Sequence, residues 1–196
     1  MNRYLVALLC GALATGAMAQ EQTRIRGNVL SFDGKQLIVK ASAGKETTVL
    51  VTGKTSISYP QVLKLSDLKP GTYIGSGAMP GPDGKLVARE VHVFPDSQRG
   101  TGDGSRPWSS VSGGTMTNGG VAQSVKSVSG QELTVQYQGG EKKILVPDGT
   151  PVVTRLPGDP SLLVRGSYVV VLAQGTEGSW VARSIQATSK DGVKPD

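Results

Sequence analysis

The sequence predicts an all-β protein in which a small barrel-forming unit occurs twice. Three observations lead to this prediction. The composition, with 27 Gly, 11 Pro and 5% aromatic residues, is typical of a turn-rich β protein. Short runs of residues alternate between apolar and polar, with a period near two. The tripeptide Val-Ala-Arg also occurs twice, at 87–89 and 181–183, each time within an apolar run.

The first predicted element is an export signal over residues 1–19. Arg3 supplies the positive charge, residues 5–13 form an apolar run, and Ala-Met-Ala ending at Ala19 is a small-x-small cleavage site. The apolar run is shorter than the roughly 20 residues that a membrane helix needs. We therefore expect cleavage after Ala19, export to the periplasm, and no transmembrane span in the mature chain.

Charge and cysteine content narrow the possible chemistry. Removal of the signal would also remove Cys10, the only cysteine, and with it disulfides and thiolate metal ligands. The net charge of +6, to which Arg3 contributes one, is scattered along the chain. A moderate positive charge suits anionic envelope polymers or nucleic acid, but its scattered distribution favours a generally soluble surface.

The first barrel unit is predicted over residues 24–95. Alternation along 25–31 indicates a strand, and Asp-Gly in SFDGKQ indicates a hairpin leading into LIVKA. The segments TTVLV, TSISY, TYIGSGAM and LVAREVHVF complete six short strands. Short strands with tight turns favour a closed or nearly closed barrel over an open sheet with two bare edges.

A second unit is predicted over residues 120–188, because this segment repeats the first in order and nearly in spacing. A short tail, 189–196, follows it. Matched positions include Ile25 and Val121, Val29 and Val125, Leu37 and Leu133, Val39 and Val135, and Tyr73 and Tyr168. We interpret the chain as a tandem duplication of one six-stranded barrel unit.

The segment between the units, 96–119, is a Gly- and Ser-rich linker. So long a loop is either a flexible spacer or a functional segment. Trp108 is its most informative residue, since a flexible spacer seldom contains an indole. The side chain either anchors the linker on a barrel or contacts a ligand, as Trp often does at binding hot spots, and Arg106 lies beside it.

The segment AREVHVFPDSQRGTGDGSRPW, followed by TMTNGGV, resembles exported bacterial proteins of the DUF5666 type. Those proteins carry tandem units of the form G-x-V-x-S-x-x-G-x-x-L-x-V, which 27–39 match. The resemblance extends over nearly all of the mature chain. It implies a periplasmic, OB-like barrel and brings no established catalytic activity. Where those relatives have a His near Arg-Pro-Trp, this chain has Ser105.

The repeated arginines, Arg89 and Arg183, pose a packing problem. In a regular strand each would share a face with aliphatic neighbours, and burying an unpaired guanidinium there is very costly. A β-bulge would turn each arginine outward. Otherwise each lies at a barrel rim, paired with a carboxylate or an anionic ligand. A duplicated anion site is the functional alternative.

Catalytic motifs are absent from the sequence. It has neither paired carboxylates at a diagnostic spacing nor a nucleophile elbow or dinucleotide fingerprint. His92 is the only histidine. A soft copper or zinc site would combine it with Met79 and Met116, although methionines more often fill apolar gaps. The few aromatic residues do not predict a surface for single-stranded nucleic acid. We expect no catalysis, no cofactor and no nucleic-acid partner.

The expected function is therefore that of an exported, non-catalytic binding or scaffold protein of the cell envelope. Its partner would be an envelope protein or an anionic polymer. Candidate ligand-binding residues are Arg89, Arg183, Trp108 and Arg106. The alternative is a metal carrier or a hydrolytic enzyme that uses His92 and the linker.

Overall fold

A computed structural model describes residues 21–41, 44–81, 83–109, 111–128 and 130–195. The predicted signal peptide, 1–19, lies outside the described residues. The chain is all-β, as predicted, and its described residues form strands joined by turns and three single 3₁₀ turns. Among the described residues, no helix has the length and apolar character to cross a membrane.

In the part of the chain that the structure describes, six strands precede a short strand in the linker and six follow that strand. The first six are β1 (Glu21–Phe32), β2 (Gln36–Ala41), β3 (Glu46–Leu50), β4 (Ser56–Val62), β5 (Tyr73–Pro80) and β6 (Leu86–Val93). The linker strand is β7 (Gly104–Pro107). The last six are β8 (Thr115–Ser127), β9 (Gly130–Tyr137), β10 (Gly140–Pro147), β11 (Val152–Pro157), β12 (Tyr168–Gly175) and β13 (Trp180–Ala187). The 3₁₀ turns are Leu65–Asp67, Asp96–Gln98 and Pro160–Leu162.

Two closed five-stranded barrels account for ten of these strands. The first barrel runs β12–β1–β2–β3–β13 and closes where β13 pairs with β12. The second runs β5–β8–β9–β10–β6 and closes where β6 pairs with β5. Each ring contains one parallel pairing, β3 with β13 or β10 with β6. Closure leaves neither ring with a bare sheet edge, and avoidance of such edges was the reason for predicting a barrel from the sequence.

The composition of each barrel differs from the sequence prediction in two respects. Each closed ring has five strands and not six. Each ring also takes three strands from one half of the chain and two from the other, so neither is contiguous in sequence. The segments 24–95 and 120–188 therefore exchange their last two strands. The reason is that hydrophobic alternation specifies which face of a strand is buried, not which barrel buries it.

Strands β4 and β11 carry the chain from one barrel to the other. Residues 56–58 of β4 pair with β13 of the first barrel, and residues 58–62 pair with β11. The chain then places Leu68 in the core of the second barrel. Strand β11 makes the reverse crossing, from β6 to a 3₁₀ turn whose Leu162 is buried in the first core. The antiparallel β4–β11 pair thus joins the two barrels.

Each barrel has its own apolar core, built from the inward-facing residues of its five strands. The first core includes Val29, Leu37, Val39, Val49, Val171 and Ile185. The second includes Ile74, Val91, Val121, Leu133, Val135 and Ile144. These residues have at most 2% of their surface exposed. Apolar area removed from water in this way is the main stabilising contribution to folding, at about 25 cal/mol per Å2.

Candidate functional site

A pocket of about 580 Å3 lies between the two barrels and is closed on one side by the linker. The first barrel contributes two arginines from the outward face of β1, and the second contributes residues of β5, β6 and β8. Strand β11 and the linker complete the wall. The lining residues that carry polar or aromatic chemistry are Arg24, Arg26, Glu90, His92, Phe94, Arg106, Trp108, Met116, Asn118 and Arg155. We call this the arginine pocket.

The linker is held against the second barrel by polar contacts near its middle. Tyr73 donates its hydroxyl to Asp103 Oδ1 at 3.0 Å, and the backbone N–H of Gln138 donates to Asp103 Oδ2 at 2.6 Å. Asn118 Nδ2 donates to the Thr101 carbonyl at 3.0 Å. Burial of Tyr73 and its bond to this carboxylate raise the pKa of the phenol to about 12. These bonds fix the loop that forms one wall of the pocket.

Strand β7 continues this docking up to Trp108. Residues 104–107 pair with β8, and Arg106 Nη1 donates to the Gly102 carbonyl at 2.7 Å. The Trp108 backbone N–H then donates to the Gly114 carbonyl at 2.9 Å. The segment 96–119, predicted from sequence as a linker without a period, thus contains a 3₁₀ turn, a strand and the start of β8.

The indole of Trp108 lies on Gly77 of β5. A Cβ at that position would lie 2.7 Å from both Cη2 and Cζ2 of the ring, closer than real Cβ atoms approach. The neighbouring outward-facing residue of β5, Gly75, leaves space in the same way for Asn118 and Phe94. Glycine at these two positions therefore allows the linker to lie flat on the barrel wall. Trp108 remains half-buried and lines the pocket.

The charge of the pocket is strongly positive. Its described lining residues include four arginines and one carboxylate, Glu90. None of the described salt bridges involves Arg24, Arg26 or Arg106. Like charges held close together repel one another, so an anion that enters the pocket gains interaction energy with several guanidinium groups at once.

His92 lies in this pocket in its neutral form. Burial, and secondarily the positive charge of Arg155, lower its pKa from 6.5 to about 4. Its ring makes an edge contact with Phe94, with centroids 5.0 Å apart. Phe94 in turn contacts Tyr73 at 5.6 Å. The aromatic side chains thus form an apolar wall beside the arginines, and Trp108 is the member that belongs to the linker.

The structure brings together two of the four residues predicted to bind a ligand. Trp108 and Arg106 are neighbours in the arginine pocket, and His92 and Met116 line the same space. Met79 does not line it. Its Sδ would lie 3.2 Å from a Cβ on Gly114, and Cε3 of the Trp108 indole would lie 3.0 Å from the same position.

The other two predicted residues, Arg89 and Arg183, lie elsewhere and are exposed. Gly77 pairs with Glu90 and Ala78 with Ala88, so Arg89 is the extra residue of a bulge in β6. Leu172 pairs with Ser184 and Ala173 with Ala182, which makes Arg183 the extra residue in β13. Of the two alternatives that the sequence left open, a bulge or a rim position, the structure has the bulge. It lets Ala88 and Val91 both face the core while the guanidinium reaches water.

Sequence reasoning missed Arg24, Arg26 and Arg155. The alternation Arg24-Ile25-Arg26 showed that both arginines of β1 face outward, but it did not show what they face. Arg155 is 129 positions from Arg26 and reaches the pocket on β11, the strand that leads from β6 towards the first barrel. The sequence does contain one signal that another segment packs closely on β5. GSG at 75–77 interrupts an apolar strand where the second half has VVL at 170–172.

Metal-binding capacity is limited in the part of the chain that the structure describes. No group of three or more His, Cys, Asp or Glu side chains there could hold a metal ion. His92 and Met116 share the pocket, but Arg155 places positive charge beside the imidazole and opposes a cation.

Comparisons with known proteins return no relative. No family model, curated protein sequence or solved structure matches this chain. The site itself is therefore the basis for assigning a function.

Proposed function

We propose that this protein is an exported, non-catalytic binding protein of the cell envelope, and that it holds an anionic ligand in the arginine pocket. The observation that carries the proposal is the convergence of four arginines on one space beside Trp108. Export and a periplasmic location follow from the pattern of residues 1–19.

The chemistry of the lining residues favours carboxylate, sulfate or phosphate groups. Guanidinium groups donate in pairs to such oxygens and bind them more strongly than neutral donors do. Asn118 adds an amide, although one of its hydrogens already goes to the Thr101 carbonyl. A cavity of this volume, with an apolar wall and a few convergent polar groups, is typical of a ligand site.

We infer a finer description of the fold as well: a tandem duplication of an OB-like unit related to the DUF5666 type. Three kinds of observation support the duplication. The pairings β1–β2, β2–β3 and β5–β6 have counterparts in β8–β9, β9–β10 and β12–β13. The bulges at Arg89 and Arg183 are equivalent. Arg99 lies over the Tyr73 ring at 5.7 Å, as Lys194 lies over the equivalent Tyr168 ring at 5.8 Å.

The alternative of a metal carrier or hydrolase has one supporting observation, the presence of His92 and Met116 in the same pocket. A neutral imidazole is the form that binds metals. The surrounding arginines favour an anion over a cation, so the anion-binding function takes precedence.

Binding calorimetry on residues 20–196 tests the proposal with matched charge variants. Arg24→Gln/Arg26→Gln removes two charges from the pocket, and Arg89→Gln/Arg183→Gln removes two from outside it. With a galacturonic acid tetramer, a small carboxylated oligosaccharide, we expect the pocket variant to weaken binding about tenfold or more. The control variant should stay close to the wild type. Equal losses in both variants would mean that the oligomer responds to net charge and not to this site.

A further inference from the structure

A second basic cavity adjoins the arginine pocket on the other side of the linker. Its volume is about 860 Å3, and it lies where β6 and β10 meet at one end of the second barrel. Its charged lining residues, among those that the structure describes, are Lys85, Arg106, Lys142 and Lys143, and none of them is a carboxylate. We call it the lysine cavity.

Arg106 and Trp108 line both cavities. The two spaces therefore share one wall, and this wall carries a cation and the half-buried indole. Lys85 is partly compensated, since its Nζ lies 4.0 Å from Asp83 and 3.9 Å from Glu132. None of the described salt bridges involves Lys142 or Lys143.

The equivalent cavity of the first barrel shows that this charge is not a consequence of the fold. That cavity is about 460 Å3 and is lined by Lys45, Glu46, Glu177 and Trp180 among others. Lys45 forms a salt bridge with Glu177 there. Leu37 and Leu133 pair with Val49 and Ile144, which makes Thr47 and Thr48 the equivalents of Lys142 and Lys143. Only one of two equivalent barrel ends is therefore strongly basic.

We propose that the arginine pocket and the lysine cavity form one groove for an extended acidic polysaccharide, which passes Trp108 on its way from one cavity to the other. This inference rests on the proposed function and specifies its ligand. A small anion would be held fully by the arginines of the first cavity and would leave the second without a role. A chain with charges at regular intervals contacts both sets of cations.

The arrangement of charges suits such a chain. Arginines provide directed, paired hydrogen bonds in the pocket, where one repeating unit is fixed in position. Lysines act as mobile point charges in the second cavity, where the next units need attraction more than orientation. The indole between them offers an apolar face to the C–H side of a sugar ring.

A polysaccharide fits this groove better than a nucleic acid does. Single-stranded nucleic acid needs successive aromatic faces on which its bases stack. Phe94 lines the arginine pocket in edge contact with His92, and Trp108 is the described aromatic residue that lines both cavities. Few aromatic faces with many cations favour a polymer whose units need charge recognition and little stacking.

Chain-length dependence tests the inference. Calorimetry would use the monomer, dimer, tetramer and octamer of galacturonic acid with three proteins: wild type, Arg24→Gln/Arg26→Gln, and Lys142→Thr/Lys143→Thr. The last variant installs the residues that the first barrel carries. We expect wild-type affinity to rise with length. The lysine variant should lower octamer affinity about tenfold and leave dimer affinity unchanged. The pocket variant should weaken both.

Each contrary result has a distinct meaning. Equal wild-type affinity for dimer and octamer, unaltered in the lysine variant, would overturn the groove and leave the proposed pocket intact. Tighter binding of an oligothymidylate with the same number of charges would overturn the choice of polysaccharide. Absence of binding at every length would overturn the proposed function itself. Circular dichroism and thermal unfolding of each variant would establish that all three proteins are folded.

Discussion

At the scale of single residues, the site depends on an absent side chain as much as on those present. Trp108 reaches the wall of the second barrel because β5 has glycine beneath it. At the equivalent positions of β12, the first barrel has Val170 and Leu172, which pair with Arg26 and Arg24 of β1. The two barrels thus differ where they face the pocket. The second barrel accepts the linker, and the first barrel presents arginines beside an aliphatic surface.

His92 makes the free energy of unfolding depend on pH. Its folded-state pKa of about 4 lies below the value of about 6.5 expected in the unfolded chain. Between these values the unfolded chain binds a proton that the folded chain does not, so the free energy of unfolding falls as the pH is lowered. Arg155 and Glu90 are the charged groups that line the pocket with it from β11 and β6.

We predict that His92→Gln reduces this loss of stability below about pH 6.5. Glutamine is a matched replacement because Gln186 occupies the equivalent position in β13. Urea unfolding at about pH 7 and about pH 4.5 would measure the difference in both proteins. Carboxylates still contribute a pH dependence in the variant, so the test is the change between proteins. Identical changes in the two would show that His92 is not held neutral by the fold.

At the scale of elements, the linker is a docked segment with contacts along its length. The Arg99 Nη2 group donates to the Gly71 carbonyl at 2.6 Å and lies 3.6 Å from Asp96. Asp103 joins the linker to β5 and to the β9–β10 turn. Strand β7 then pairs with β8. The linker is therefore held in place by hydrogen bonds and by the packing of one indole, not by a large apolar core.

We predict that Gly77→Ala releases the Trp108 end of this segment. The added methyl group would overlap the indole, and overpacking of this kind costs about 1–3 kcal/mol. Limited chymotrypsin digestion should then cleave after Trp108 about tenfold faster or more. Gly120→Ala is the matched control on the adjacent strand, because a Cβ there has no neighbour within 4 Å. Unaltered cleavage in the Gly77 variant would mean that the indole does not restrain the linker.

Sequence patterns predicted local features well because local features depend on neighbouring residues. Alternation identified the strands. The cost of burying a guanidinium left a bulge or a rim position for Arg89 and Arg183, and the structure has the bulge at both. Partners between strands depend on contacts far apart in sequence. No local pattern indicates that β1 pairs with β12, so the meeting of Arg24 with Arg155 was not predictable. For Trp108, the sequence allowed either anchoring on a barrel or contact with a ligand, because it does not show that Gly77 lies beneath the indole.

At the scale of the whole molecule, the exchange of strands makes the two halves of the chain interdependent. Strands β12 and β13 complete the barrel that β1 begins, and β5 and β6 complete the barrel of β8. The β4–β11 pair adds a further connection. The arginine pocket lies between barrels whose relative position is set by these crossings. Neither half alone can form a closed barrel of the observed kind.

We predict that the two fragments of a chain cut within the linker remain associated. A protease site inserted between Ser112 and Gly113, both exposed, would permit the cut after folding. Size-exclusion chromatography in native buffer should show the cut protein at the position of the uncut one, and the fragments should separate in denaturant. Two folded half-size species in native buffer would contradict the exchanged topology.

Arginine modification with phenylglyoxal, with and without the galacturonic acid octamer, tests whether an anionic ligand occupies the pocket between the barrels. Mass spectrometry would report the reactivity of each arginine in one sample. Exposed Arg24 and Arg26 should become several-fold less reactive when the oligomer is bound, since it would cover their guanidinium groups. Exposed Arg89 and Arg183, outside the pocket, should react as before. Protection of Arg89 and Arg183 without protection of Arg24 and Arg26 would contradict the assignment of the site.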